Sequence, residues 1–350
     1  MSERDLSSRI AGASDAHLLT EASAFRERLG NWPEAPAGAP HWRLCLDPAQ
    51  ATGPFDIAWD ALVLPSGAGA ALAVDEGVTA LVIERQHYRF AGERPEDWMA
   101  ALLAYLDCGF EPPDALCAAL AASRPTAWPA GLNALPRIDG LPSFTAAFPA
   151  CQAPLGLYPV VPDVSWIERL LELGVTTVQL RIKTPGPDLH EQIGRAIEAG
   201  QRHGAQVFIN DHWREAIELG AYGVHLGQED LHVADLDAIA AAGLRLGLST
   251  HGFYEMRVAE HFRPSYMALG AVFATPTKEM ATAPLGLQRL ARYVDTIAGA
   301  YPTVAIGGID LTALPSVLST GVDSAAVVRA VTDADDLAAS VASLQACFGT

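Results

Sequence analysis

Two carboxylates, Asp211 and Asp230, each stand just beyond a short apolar run, in Phe208-Ile-Asn-Asp-His-Trp213 and in Gly223-Val-His-Leu-Gly-Gln-Glu-Asp230. If both runs are parallel strands of one barrel, the carboxylates reach the same rim and can grip one divalent ion. Magnesium suits such a pair, because it takes one or two carboxylates and leaves its other positions to water and phosphate. A cationic stretch, Gln179-Leu-Arg-Ile-Lys183, alternates so that Gln179, Arg181 and Lys183 share one face while Leu180 and Ile182 pack on the other. Two cations and an amide facing a barrel interior would be costly without an anionic partner. A bound pyrophosphate is the simplest partner, and an ion-pair network closing the barrel top is the other. Lys183 and Lys278 are the only lysines among 23 basic residues, which marks them as places that need a compact ammonium.

Other apolar runs end in polar residues too: Asn210 with Asp211, Gln228 before Asp230, Ser249-Thr250-His251, and Thr275-Pro-Thr277-Lys278. Gly307-Gly308 follows a seventh run and Val328-Arg329 ends the eighth; backbone N–H groups there form a cradle of the kind that holds a phosphate. A metal, a pyrophosphate cradle and a separate monophosphate cradle imply group transfer between two phosphorylated molecules rather than hydrolysis. His225 and His251 have no second histidine at ligand spacing, so both read as structural.

The elements that must position these residues are legible from periodicity. From Leu157 onward, apolar runs recur every 20 to 30 residues or so: 157–161, 177–182, 206–209, 223–226, 245–248, 266–271, 303–306 and 325–328. The first intervening helix has Ser165 and Glu168 as an expected capping box, an apolar stripe of Trp166, Ile167, Leu170 and Leu171, and Gly174 as its stop. Eight strands each followed by a helix predict an α/β fold, a (β/α)8 TIM barrel over 156–350, with its chemistry at the carboxyl ends of the strands. Before it, prolines crowd 124–155, which reads as a Pro/Gly-rich linker. Residues 1–123 read as a small α/β or α+β module, with a helix over 17–29, a hairpin joining Val82-Ile83 to Tyr88-Arg89-Phe90, and a helix pair over 95–106 and 113–122.

The chain of 350 residues carries a net charge of −18, divided evenly about residue 151, so no basic patch suggests nucleic acid or membrane lipid as a partner. Five cysteines, Cys45, Cys108, Cys117, Cys151 and Cys347, show neither a C-x-x-C pair nor zinc spacing. The amino terminus lacks a signal pattern and no apolar stretch is long enough to span a bilayer, so a cytoplasmic location is expected.

These segments together resemble thiamine phosphate synthase over residues 155–347, the likeness resting on Gln179-Leu-Arg-Ile-Lys183, Ile209-Asn-Asp211, Gly223 to Asp230, Gly247-Leu-Ser-Thr-His251, Thr275-Pro-Thr-Lys278 and Ile306-Gly-Gly-Ile309. The resemblance implies condensation of 4-amino-2-methyl-5-(diphosphooxymethyl)pyrimidine with 4-methyl-5-(2-phosphooxyethyl)thiazole to give thiamine phosphate and pyrophosphate. It implies that Asp211 and Asp230 bind Mg²⁺, and that Gln179, Arg181, Lys183, Asn210, Ser249 and Lys278 hold the pyrimidine diphosphate. Thr275, Thr277, Gly307, Gly308 and the backbone near Val328-Arg329 are then expected on the thiazole phosphate. Arg181, Lys183, Lys278 and Ser249 would be the catalytic groups. Arg329 departs from the family pattern, which has a small residue there. A thiazole phosphate tautomerase, with His251 as base, and a precursor sensor on the same barrel are the alternatives. The module over 40–123 resembles the tail of ribokinase-like hydroxymethylpyrimidine kinases, but Gly92-Glu-Arg-Pro-Glu-Asp97 lacks their glycine-rich anion turn, so a non-catalytic scaffold or homo-oligomerisation module is expected.

Overall fold

The computed structural model describes residues 6–11, 15–32, 39–122, 127–275 and 283–349, and the chain divides into two compact units, Met1–Pro142 and Ser143–Thr350.

The first unit holds strands β1 (Ile10–Ala11), β2 (Arg43–Cys45), β3 (Asp56–Trp59), β4 (Ala70–Asp75), β5 (Val78–Ile83), β6 (Gln86–Ala91) and β7 (Arg137–Ile138), with helices α1 (Ala16–Arg28), α2 (Trp98–Asp107) and α3 (Pro112–Ala121). The strands follow one another across a single sheet of seven, parallel from β1 to β4 and antiparallel from β4 to β7. The expected hairpin is present, with Ile83 opposite Gln86 and Glu84 at φ 53° in the two-residue turn. Helix α2 is buried from Ala100 through Leu106, as a helix that is apolar all round must be. Its Tyr105 meets Phe25, Phe110 and Trp128 edge to face at 5.5–5.7 Å between ring centroids. Asp56 is buried but satisfied, accepting from Arg43 Nε at 2.8 Å and from the backbone N–H groups of Thr52 and Gly53 at 3.1 and 2.8 Å.

In the second unit, β8 (Leu157–Val161), β9 (Thr177–Leu180), β10 (Gln206–Asn210), β11 (Gly223–Leu226), β12 (Arg245–Thr250), β13 (Tyr266–Gly270), β14 (Thr303–Ile306) and β15 (Ser324–Val327) are all parallel, and β15 pairs with β8 to close a barrel. Helices α4 (Val164–Glu172), α5 (Leu189–His203), α6 (Trp213–Glu218), α7 (Leu236–Ala241), α8 (Phe253–His261), α9 (Gly286–Ile297) and α10 (Leu314–Leu318) lie between the strands, and α11 (Arg329–Thr332) and α12 (Leu337–Ala346) follow the last. This is the TIM barrel that the eight apolar runs predict. Its interior is filled by Tyr158, Val160, Phe208, Tyr266, Ala268, Val304 and Ala326, residues of alternating register on their strands.

Two local expectations change. Helix α4 is capped by Asp163, whose carboxylate accepts from the N–H groups of Ser165 and Trp166, so Ser165 lies inside the helix and donates its own hydroxyl to Asp163 at 2.6 Å. A carboxylate is the better acceptor for first-turn N–H groups at the positive end of the helix dipole, and Glu168 pairs instead with Arg195. The proline-rich stretch is shared between the units: Leu132–Ala134 and β7 belong to the first, while residues 143–156 run as a strap on the barrel. Along the strap, Phe144 stacks on Phe148 and meets Phe262 edge to face. Its carbonyls at Pro149 and Ala150 accept from Ser265 Oγ at 2.6 Å and Arg245 Nε at 3.1 Å. Further on, Gln206 exchanges bonds with the Ala153 backbone, and Gly156 N–H donates to Ser324 Oγ at 2.9 Å. The residues it grips stand at or beside the amino ends of β10, β12, β13 and β15.

Candidate active site

Parallel strands in register bring their carboxyl ends to one rim. Side chains of one parity point inward, so Gln179 on β9, Asn210 on β10, His225 on β11 and Ser249 on β12 share the interior with the apolar core below them. Gln179, Asn210 and His225 are buried, and Ser249 is half-buried. Arg181 lies just past β9, anchored by its N–H to the Val161 carbonyl at 2.8 Å, and is half-buried, whereas Lys183 is exposed.

Asp211 follows β10 in the left-handed region at φ 63°, a conformation that few residues other than glycine, asparagine and aspartate adopt. Its N–H donates to the His225 carbonyl at 3.0 Å, which ties the turn to β11. Burial around the carboxyl pushes its pKa up, the Asp230 charge pushes it further, and Arg181 opposes both. Asp230 and Arg181 are therefore both within electrostatic reach of Asp211 at the barrel mouth. Asp230 is fixed by the Gly227 N–H at 2.8 Å, and Gln228 donates to the Ser249 carbonyl at 2.7 Å, which links the loop after β11 to β12.

The Gly307-Gly308 pair, at φ 106° and 66°, lies against the loop after β13: a Cβ on Gly307 would stand 2.3 Å from that of Ala271, and one on Gly308 2.8 Å from the Ala274 carbonyl oxygen. Close approach of two loops thus already requires glycine here, whatever else the cradle holds. Thr275 at the end of that loop is half-buried, while Thr277 and Lys278 lie outside the described residues. Val328 precedes α11, and Arg329, its first residue, is exposed. His251 is held by Glu255, which accepts from its Nδ1 at 2.7 Å and its backbone N–H at 2.8 Å.

What sequence reasoning missed is the set of groups under the rim. His225 is a satisfied histidine, as expected, but its partners were not foreseen: Nδ1 lies 2.7 Å from the Tyr266 hydroxyl and Nε2 2.9 Å from Ser249 Oγ. Tyr266 in turn meets the Tyr158 hydroxyl at 2.9 Å, and Gln179 Nε2 donates to that oxygen at 3.1 Å. Strand parity was the available signal, since Tyr158, His225 and Tyr266 fall on the inward face.

Among the described residues no cluster of three or more histidine, cysteine, aspartate or glutamate side chains could hold a metal by itself. A pair of carboxylates in which the charge of Asp230 pushes the Asp211 carboxyl up nevertheless fits a hard divalent ion that draws its remaining ligands from substrate oxygens and water. No helix among the described residues is long and apolar enough to cross a membrane.

A closed parallel barrel with polar and charged side chains gathered at its carboxyl-end rim defines a (β/α)8-barrel enzyme. Residues 157–331 match the model of the thiamine monophosphate synthase family. The thiamine-phosphate synthase of Citrobacter koseri is 56% identical over 203 residues, which cover 58% of this chain and 96% of that relative. That of Escherichia coli is 57% identical over 198 residues, 56% of this chain and 93% of the relative. The solved thiamine phosphate pyrophosphorylase of Pyrococcus furiosus is 31% identical with a TM-score of 0.50, over 56% of this chain and 96% of its own. The chain belongs to the thiamine monophosphate synthase family, a family of transferases, through its second unit.

Proposed function

We propose that the barrel joins 4-amino-2-methyl-5-(diphosphooxymethyl)pyrimidine to 4-methyl-5-(2-phosphooxyethyl)thiazole, giving thiamine phosphate and pyrophosphate. The observation that supports this reading is that the charges of Asp230 and Arg181 both reach Asp211, which follows β10 at the carboxyl-end rim. Together with family membership, it supports a site for a magnesium-bound diphosphate. When bound between Asp211 and Asp230, Mg²⁺ would neutralise charge on the diphosphate.

The chain's own residues then do the following. Arg181, Lys183 and Lys278 take up the charge that grows on the diphosphate as the bond to the pyrimidine methylene carbon breaks, and Ser249 and Asn210 hydrogen-bond its oxygens. Gln179 helps to hold the pyrimidine substrate. Thr275, Thr277, Gly307, Gly308 and the backbone at Val328 and Arg329 hold the thiazole phosphate so that the ring nitrogen faces that carbon. The nitrogen attacks with its lone pair and bears no proton, so no general base is needed. The first unit serves as a non-catalytic module, a scaffold or a homo-oligomerisation element.

The test is to incubate the purified full chain with both substrates and Mg²⁺. Equal amounts of pyrophosphate and thiamine phosphate are expected, and a folded protein that releases neither would refute the proposal.

A further inference from the structure

We propose that Tyr158, Tyr266 and His225 are positioning residues that fix the hydrogen-bond direction of Ser249, presenting its hydroxyl as a donor to the departing diphosphate. This rests on the reading of Ser249 as a diphosphate ligand. The basis is an unbroken chain from the barrel interior to the rim: Gln179 Nε2 to Tyr158 at 3.1 Å, Tyr158 to Tyr266 at 2.9 Å, Tyr266 to His225 Nδ1 at 2.7 Å, and His225 Nε2 to Ser249 Oγ at 2.9 Å. Tyr158 and Tyr266 are essentially inaccessible to water, at 1% and 0% exposure, and Gln179 and His225 are buried.

Counting protons sets the direction. Burial pushes both phenols up, so each keeps its O–H and donates once. Gln179 turns its amide nitrogen, a donor, toward Tyr158. The Tyr158 oxygen must then accept, and its proton goes to the Tyr266 oxygen. The Tyr266 proton goes to His225 Nδ1. With Nδ1 accepting, the neutral imidazole carries its hydrogen on Nε2 and donates it to Ser249 Oγ. The serine proton has no place inside the chain and is left for an oxyanion at the rim. Reversing the chain would require the Gln179 amide to turn its oxygen toward Tyr158, opposite to the orientation it has here.

Packing holds the line in place. Gly247 is paired with Tyr266 across β12 and β13, and a Cβ there would stand 2.3 Å from the Tyr266 hydroxyl oxygen. Any side chain at 247 would push that hydroxyl out of the chain.

The deciding variant is Tyr266→Phe, which keeps the ring and deletes one link. In the full-length protein labelled with ¹⁵N-histidine, NMR should show wild-type His225 as the Nε2–H tautomer, and the variant should lose that single assignment. Tyr266→Phe and Ser249→Ala should each raise the KM for the pyrimidine diphosphate about tenfold, a loss in keeping with one hydrogen bond to a charged group. The double variant should match Ser249→Ala alone, because Tyr266 acts through Ser249. A side chain that merely supports the fold would give multiplying losses instead. An Nδ1–H tautomer in the wild type, or multiplying losses, would overturn the proposal. Should Tyr266→Phe fail to fold, the same cycle with Tyr158→Phe and the wild-type tautomer decide. A folded wild type that makes no thiamine phosphate would refute the proposed function, and the tautomer would still judge the hydrogen-bond chain independently.

Discussion

Asp211 combines a left-handed backbone with a carboxyl whose pKa is raised by burial and by Asp230. Alanine at this position would add backbone strain to the loss of charge, whereas asparagine tolerates the conformation and removes only the charge. Asp211→Asn is expected to lower kcat/KM about a hundredfold or more, measured at saturating Mg²⁺. It should also stabilise the metal-free protein. A carboxyl raised above its unfolded value favours folding while protonated, and that contribution is lost as pH rises through the folded pKa. The melting temperature of the variant should therefore exceed that of the wild type at neutral pH, and the difference should shrink as the solution is acidified. Because Asp211 reaches solvent the gain will be small, and a variant that melts lower at neutral pH would contradict the repulsion. The pairing of this residue with Asp230 was readable from two strand ends, since parallel strands of equal register leave little choice of rim. The φ of Asp211 was not readable, because it follows from the bond its N–H makes to a neighbouring strand.

At the scale of the element, the barrel strands were legible because each is a short apolar run bounded by polar residues, and inside a parallel barrel both faces of a strand are covered. Their lateral neighbours were not, because register is a property of pairs. The match between Gly247 and Tyr266 is the clearest instance: no local pattern reveals that a phenol from the next strand fills the space of a missing side chain. Gly247→Ala would place a Cβ 2.1 Å from that ring and is expected to cost about 2 kcal/mol or more, read as a fall in the urea midpoint. A neutral effect would mean that the ring can move aside. The cap of α4 shows the same limit on a smaller scale, since Ser165 and Glu168 have the right spacing, but Asp163 two residues earlier is the stronger acceptor.

For the whole molecule, the informative feature is the strap over 143–156, which reads as linker by its prolines yet bonds to residues at or beside the amino ends of four strands. A fragment starting at Ser143 is expected to fold and keep synthase activity. One starting at Leu157 should melt several degrees lower, since a loss of even about 1 kcal/mol shifts a domain of this size by about 2–4 °C. Equal melting of the two fragments would assign the strap no role in stability. The composition of 143–156 could not announce this, because its bonds are made mostly by carbonyls and N–H groups that any sequence possesses. Closure of the barrel has a consequence for biogenesis. The strand that seals it against β8 is β15, the last one to be synthesised. Until that segment leaves the ribosome the barrel cannot close, and any sheet formed by the earlier strands keeps two open edges of the kind that pair with other chains.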